Sequence, residues 1–153
     1  MMLVVKKFDE LTPREVYEIL KARALVFALE QNIRCLDMDD TDYESLHIFS
    51  VEEGRVTAYL RAFPLSETGK VKIGRVLTLS RGKGVGKSLM ERSLAAISEQ
   101  FDPEVVVVDA QAQARGFYEK CGFTAVSEEF MEEGIPHVRM ERKISSSERG
   151  ESV

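Results

Sequence analysis

The segment Arg81-Gly82-Lys83-Gly84-Val85-Gly86-Lys87-Ser88 follows the apolar run Val76-Leu77-Thr78-Leu79 and opens a helical pattern. It constrains the fold more than any other stretch. Three glycines and three cations between a strand and a helix predict a strand–loop–helix unit, which requires a sheet with helices packed on it. Without a Cβ, glycine allows unusual backbone angles and close approach to a ligand. A helix start adds unpaired N–H donors and the positive end of a dipole. Together these describe a cradle for a phosphate group.

The rest of the chain limits what such a cradle can serve. At 153 residues, one domain is expected, with enough chain to bury a core. The content of 44% hydrophobic and 31% charged residues is that of a globular protein. A net charge of −5 argues against a general nucleic-acid binder, which needs a basic surface. No apolar run approaches the roughly 18 residues of a bilayer span, and the first ten residues predict no secretory signal. Cys35 and Cys121 form no Cys-x-x-Cys pair, so neither zinc nor a disulfide framework is expected. These features predict a reduced, cytoplasmic setting and no nucleic-acid or membrane partner.

Periodicity supplies the element order. Leu3–Val5 and Phe8 predict a first strand. Thr12-Pro13-Arg14-Glu15 reads as a capping box with proline at the first helical position, and Val16, Ile19, Leu20, Ala24 and Phe27 continue the helix to about Leu29. Strands at His47–Val51, Val56–Phe63 and Val71–Leu79 predict an antiparallel meander. Leu89, Met90, Leu94, Ile97 and Phe101 mark an amphipathic helix, and Val105–Val108 suits a strand buried on both faces. A short helix over Gln111–Cys121 stops at Gly122, and Phe123–Phe130 with Ile135–Lys143 predicts a final hairpin. The fold class is therefore α/β (α+β): a mixed, mostly antiparallel twisted sheet of about seven strands. One domain is expected over residues 1–144, with a polar, disordered tail over 145–153.

Two kinds of machine use such a cradle. A nucleoside-triphosphate loop would read Gly-x-x-x-x-Gly-Lys-Ser, with Val105–Asp109 as its acidic strand. Gly82 and Gly86, however, enclose three residues, not four, and the correct spacing lands on Arg81. The loop also follows antiparallel strands, the wrong context for that fold. The pattern Arg/Gln-x-x-Gly-x-Gly fits Arg81, Gly84 and Gly86 without strain. One helix and one strand later, Gln111-Ala112-Gln113-Ala114-Arg115-Gly116-Phe117-Tyr118-Glu119-Lys120-Cys121-Gly122-Phe123 is similar to the Ala-x-x-Phe-Tyr-x-Lys-x-Gly-Phe signature of the GNAT N-acetyltransferases. Val26-Phe27-x-x-Glu30-Gln31-Asn32, Asp37–Asp42, His47-Ile48, Ile73-Gly74-Arg75-Val76 and Gly134-Ile135-Pro136-His137 further resemble the ElaA-like subgroup. The resemblance covers roughly residues 3–143.

That resemblance implies the GNAT fold, with helices on both sheet faces, and an N-acetyltransferase using acetyl-CoA as co-substrate without a metal. It places the pantetheine arm along Val76, Leu77 and Thr78, with one N–H as oxyanion donor. The pyrophosphate would lie on Arg81, Gly82, Lys83, Gly84, Val85, Gly86 and Lys87, with Gln111, Phe117 and Tyr118 completing the coenzyme site. Gln111 stands where many members have asparagine. The segment before Arg81 is about two residues short of the family's Pro-containing turn, which bears on any bulge aiming that donor. Tyr118 takes the general-acid position, since a phenol of pKa ~10 can protonate a departing thiolate. Glu30, His47, Glu133 and His137 remain open as base or substrate contacts. The acceptor would be a small-molecule or peptide amine, and a homodimer is among the assemblies the resemblance allows. Nine of the 26 acidic residues fall in 37–44 and 128–133, a pattern that would steer a cationic amine or else form solvated loops. An acyl-CoA-binding module without catalysis is the alternative.

Overall fold

The computed structural model describes residues 2–67, 69–79, 84–145 and 148. Arg81, Gly82 and Lys83 of the cradle lie outside the described residues, as does most of the tail.

Eight strands form a mixed sheet in the hydrogen-bonded order β1-β2-β3-β4-β5-β8-β6, with β7 on β8. They are β1 (Leu3–Lys7), β2 (Leu46–Glu52), β3 (Arg55–Pro64), β4 (Lys70–Thr78), β5 (Val105–Gln111), β6 (Thr124–Ala125), β7 (Phe130–Glu132) and β8 (Ile135–Lys143). The helices are α1 (Pro13–Arg23), α2 (Val85–Phe101) and α3 (Arg115–Lys120). The chain divides into two compact units, Met1–Phe63 with Arg75–Leu89 and Pro64–Gly74 with Met90–Val153.

In the first unit, Thr12 Oγ1 accepts the Glu15 N–H (3.1 Å) and Glu15 Oε1 accepts the Thr12 N–H (2.8 Å), so the expected capping box starts α1. The helix does not run on unchanged to Leu29. From Ala24 to Glu30 the backbone widens into a π-helical turn, closed by Gln31 N–H on the Val26 carbonyl (3.0 Å). β1 pairs antiparallel with β2, and β2 with β3. Phe8, expected at the end of the first strand, instead begins a 3-10 turn. Glu53 and Gly54 both have positive φ (51° and 78°), the type I′ geometry that joins twisted strands in two residues. Ile19, Ala22, Val26, Phe49, Val56, Tyr59 and Leu77 form the core cluster.

In the second unit, β4 and β5 pair in parallel over Lys70–Ile73 and Val105–Val108. β5 also pairs antiparallel with β8 along its length, so the four valines sit between two neighbouring strands. The final hairpin departs from expectation. Phe123–Phe130 is not one strand but two short ones, β6 and β7, which raises the count to eight. The interruption has a local cause: Ser127 Oγ accepts the Arg139 N–H (2.9 Å), and the Val126 N–H bonds the Arg139 carbonyl (2.8 Å). A side chain thus replaces a ladder bond. Beyond β8, Ile144 is buried and its N–H reaches the Glu104 carbonyl (2.8 Å).

Candidate active site

Strand β4 carries the first group of expected site residues. Leu77 is buried in the first unit's core, while Val76 and Thr78 are half-buried. Immediately before them Arg75 has φ 55°, a left-handed residue inside a strand. Such a residue breaks the regular alternation of N–H directions and kinks the strand. The strand therefore kinks, as at a bulge, just ahead of the backbone expected to hold the pantetheine.

Gly84, Val85, Gly86 and Lys87 begin α2, and the Gly84 carbonyl accepts the Ser88 N–H (3.0 Å). Gly84 has φ 67°, and a Cβ added there would meet no atom within 4 Å. The conformation needs glycine, and the space beside it is open. An anion approaching the first turn of α2 would meet the positive end of the helix dipole there.

Tyr118 is held by the way α3 ends. The Phe123 N–H bonds the Tyr118 carbonyl (3.0 Å) and the Gly122 N–H bonds the Glu119 carbonyl (3.0 Å), with Gly122 at φ 90°. This is a Schellman cap, and its accompanying apolar contact is the edge-on packing of Tyr118 with Phe123 at 5.8 Å. Phe117 packs edge-on from the other direction at 5.2 Å. The Tyr-x-Lys-x-Gly-Phe spacing is thus the spacing of a helix cap. Burial pushes the Tyr118 phenol well above its ordinary pKa, with Cys121 adding to the effect. The phenol remains a proton donor throughout the physiological range. Gln111, at the end of β5, accepts a hydrogen bond from Gln113 Nε2 (3.0 Å).

Three acids of the segment, Asp37, Asp39 and Asp42, are engaged by arginines, while Asp40 and Glu44 are exposed. Arg23 Nε donates to Asp37 Oδ2 (2.7 Å), and Arg75 Nε to Asp37 Oδ1 (2.8 Å). Arg75 also reaches Asp39 Oδ2 at 3.5 Å, and Arg61 donates twice to Asp39 at 2.7 Å. Arg61 then bonds Asp42 (3.0 Å), which accepts from Arg23 (2.8 Å) to close the circuit. Three arginines and three aspartates alternate in a ring, each touching two of opposite charge. Arg23 and Arg61 are almost wholly buried. Sequence reasoning missed this ring, although its signal was present: Arg23 and Arg61 interrupt apolar patterns at positions that should face a core.

His47 completes the buried cluster. Its Nε2 lies 2.8 Å from the Asp42 carbonyl, so Nε2 carries the proton and donates it, and Nδ1 accepts from the Tyr59 hydroxyl at 2.7 Å. Burial, with Arg23 and Arg61 nearby, pulls its pKa below the usual histidine value despite the Asp42 carbonyl. Both nitrogens are committed. His137 sits at the start of β8, its Nδ1 donating to the Ile135 carbonyl (2.7 Å) and its ring stacked on Phe130. Nε2 is then its acceptor nitrogen, 3.6 Å from Glu132 Oε2. Glu30 is exposed at the end of the π-helical turn, and Glu133 is exposed in the β7–β8 turn. Asp109, the acid a triphosphate loop would use, is held by Lys72 (2.8 Å) and Arg139 (2.9 Å). Among the described residues no group of His, Cys, Asp and Glu could hold a metal, and no helix is long and apolar enough to cross a membrane.

This is the architecture of an acyl-CoA N-acyltransferase, and residues 36–144 match the family described as "Acetyltransferase (GNAT) domain". The chain belongs to that family, whose members are generally acetyl-CoA-dependent N-acetyltransferases. It is 34% identical over 141 residues to Protein ElaA of Escherichia coli K12, covering 89% of this chain and 92% of that protein. The crystal structure of E. coli ElaA superposes with a TM-score of 0.87 at 31% identity, covering 94% and 100% of the two chains. An acyl-CoA N-acyltransferase from Pseudomonas aeruginosa is similar at TM-score 0.85 and 36% identity, with 93% and 99% covered. The nucleoside-triphosphate reading is thereby set aside.

Proposed function

We propose that the protein transfers the acetyl group of acetyl-CoA directly to a primary amine, with Tyr118 as general acid. The observation that carries this reading is the capped α3, which fixes a buried and fully protonated phenol within the family signature. In the reaction the amine nitrogen forms a bond to the acetyl carbon and gives up a proton. The carbon–sulfur bond breaks, and Tyr118 donates its proton to the leaving thiolate sulfur. The Val76–Thr78 backbone would hold the pantetheine and offer an N–H to the carbonyl oxygen. The pyrophosphate would rest on Arg81–Lys87, where the N–H groups opening α2 provide donors. Gln111 and Phe117 would line the coenzyme in the same reading.

His137 is favoured over His47 as the base, because His47 spends both nitrogens on the protein while His137 keeps Nε2 as an acceptor. Glu30 and Glu133 would contact the acceptor. A cationic preference would rest on Glu128, Glu129, Glu132 and Glu133, because the ring neutralises Asp37, Asp39 and Asp42. Neither Cys35, which is exposed, nor the buried Cys121 is in a disulfide, which suits a reducing cytoplasm.

Thiol release from acetyl-CoA, measured across a broad amine panel with Tyr118→Phe as control, tests the proposal. Turnover on at least one amine that falls sharply in the variant is expected. Tight coenzyme A binding with no turnover on any amine would instead identify an acyl-CoA-binding module.

A further inference from the structure

We infer that Asp37 is a positioning residue for acyl transfer: through Arg75 it holds the bulge that sets the direction of the β4 N–H groups. The inference rests on the reading that Val76–Thr78 carry the pantetheine and the oxyanion donor.

A left-handed arginine inside a strand is strained, and such a conformation persists only where its surroundings over-determine it. The Arg75 guanidinium is gripped at two points by one residue. Nε donates to Asp37 Oδ1 and Nη2 to the Asp37 carbonyl, both at 2.8 Å. Such charge-assisted, two-point contacts fix direction as well as distance.

Asp37 cannot drift, because Arg23 holds it from the opposite side. Arg23 Nε donates to Asp37 Oδ2 (2.7 Å) and Nη2 to the same carbonyl (3.0 Å). Arg23 is itself 1% exposed and lies over the Tyr59 ring at 5.7 Å. The order of support therefore runs from α1 through Arg23 and Asp37 to Arg75. On the far side of the bulge, Leu77 is locked in the core cluster. With Arg75 clamped and Leu77 buried, the Val76 peptide is fixed at both ends. Its N–H keeps one direction before any ligand arrives, as preorganised stabilisation of a developing oxyanion requires.

The clamp, not the mere presence of the loop, is what this assigns to Asp37. Replacing Arg75 by glycine removes the strain, because glycine adopts positive φ without a Cβ penalty. The clamp should then be dispensable.

The test compares wild type, Asp37→Asn, Asp37→Ala and Asp37→Ala/Arg75→Gly by amide NMR and by kinetics. Asp37→Ala is expected to shift the Arg75 and Val76 backbone signals. It should lower kcat on the order of 100-fold, with the KM for acetyl-CoA within about twofold of wild type. The double variant should recover at least about tenfold of that loss. Asp37→Asn, which keeps the side-chain shape, reports an intermediate loss should the alanine variant fold poorly. Unchanged Arg75 and Val76 signals, or shifted signals with unchanged kcat, would overturn the inference, as would a double variant no faster than Asp37→Ala. If wild type turns over no amine, the acetyltransferase reading fails. The NMR comparison still decides whether Asp37 holds the bulge.

Discussion

Arg61 and Asp39 meet fork to fork, Nη1–H to Oδ1 and Nη2–H to Oδ2, each at 2.7 Å, although 22 residues separate them. The pair converts part of an acidic loop into a neutral clasp on β3. Hydrogen bonds from Arg61, aided by the charge of Arg75, hold the Asp39 carboxyl down to about 2 despite partial burial. The loop over 37–42 therefore presents much less negative charge than its composition implies. Asp37, Asp39 and Asp42 act inward, on the arginines of α1, β3 and β4.

Removing one corner of the ring should leave three arginines facing two aspartates, with one positive charge unbalanced. Asp42 accepts from both Arg23 and Arg61, the two arginines with almost no solvent contact. Asp42→Asn is expected to cost about 3 kcal/mol, because two buried arginines each lose one of their two charged partners. Lys21→Ala, which removes the partly exposed i,i+3 pair with Glu18, should cost less than about 0.5 kcal/mol. Urea denaturation of the two variants against wild type measures both.

The pH dependence of stability should show two separate windows. Burial lowers the folded pKa of His47, so as pH falls through about 6.5 the unfolded chain takes up the proton first. Stability is fully present above that value and declines as pH falls toward the lower folded pKa. Asp39 contributes above its unfolded value of about 3.9 and loses that contribution as pH falls through about 2. The ring thus survives where His47 has begun to weaken the fold. In urea midpoints recorded from about pH 8 to about pH 2, His47→Gln should flatten the slope just below about pH 6.5 and leave the acid limb in place.

Tyr118→Phe keeps the ring that packs between Phe117 and Phe123 and deletes only the hydroxyl. Loss of a general acid should lower kcat by about 100-fold or more. Acetyl-CoA affinity, read by calorimetry, should change less than about threefold, because the proposed reading rests the pantetheine on Val76–Thr78 and the pyrophosphate on Arg81–Lys87.

Two glycines with equally open surroundings should respond in opposite directions. Gly84→Ala forces a side chain into φ 67° and is expected to destabilise by about 1 kcal/mol. It should also weaken coenzyme A binding, since it alters the first turn of α2. Gly116 lies within α3, where an added Cβ would meet no atom within 4 Å and the backbone φ is not positive. Gly116→Ala should therefore stabilise by about 0.5–1 kcal/mol. Thermal unfolding with and without coenzyme A separates the two effects.

Local chemistry made much of this protein legible in its sequence. Thr12-Pro13-x-Glu15 starts α1, Glu53-Gly54 turns β2 into β3, and the Tyr118–Phe123 spacing caps α3, because each depends on residues within one turn of one another. The valines of β5 were readable for a similar reason: a run apolar on both faces suits a strand whose two faces are both buried. The glycine spacing favoured the acetyltransferase motif over the triphosphate loop, since one residue decides where each N–H points. Tertiary structure alone decided the rest. The break between β6 and β7 depends on Ser127 meeting Arg139, and the ring depends on arginines at 23, 61 and 75 converging on one loop. Composition counts the loop's acids but not their partners. An ion pair is fixed by distance in space, and the sheet brings these charges together only after β2, β3 and β4 have found their register.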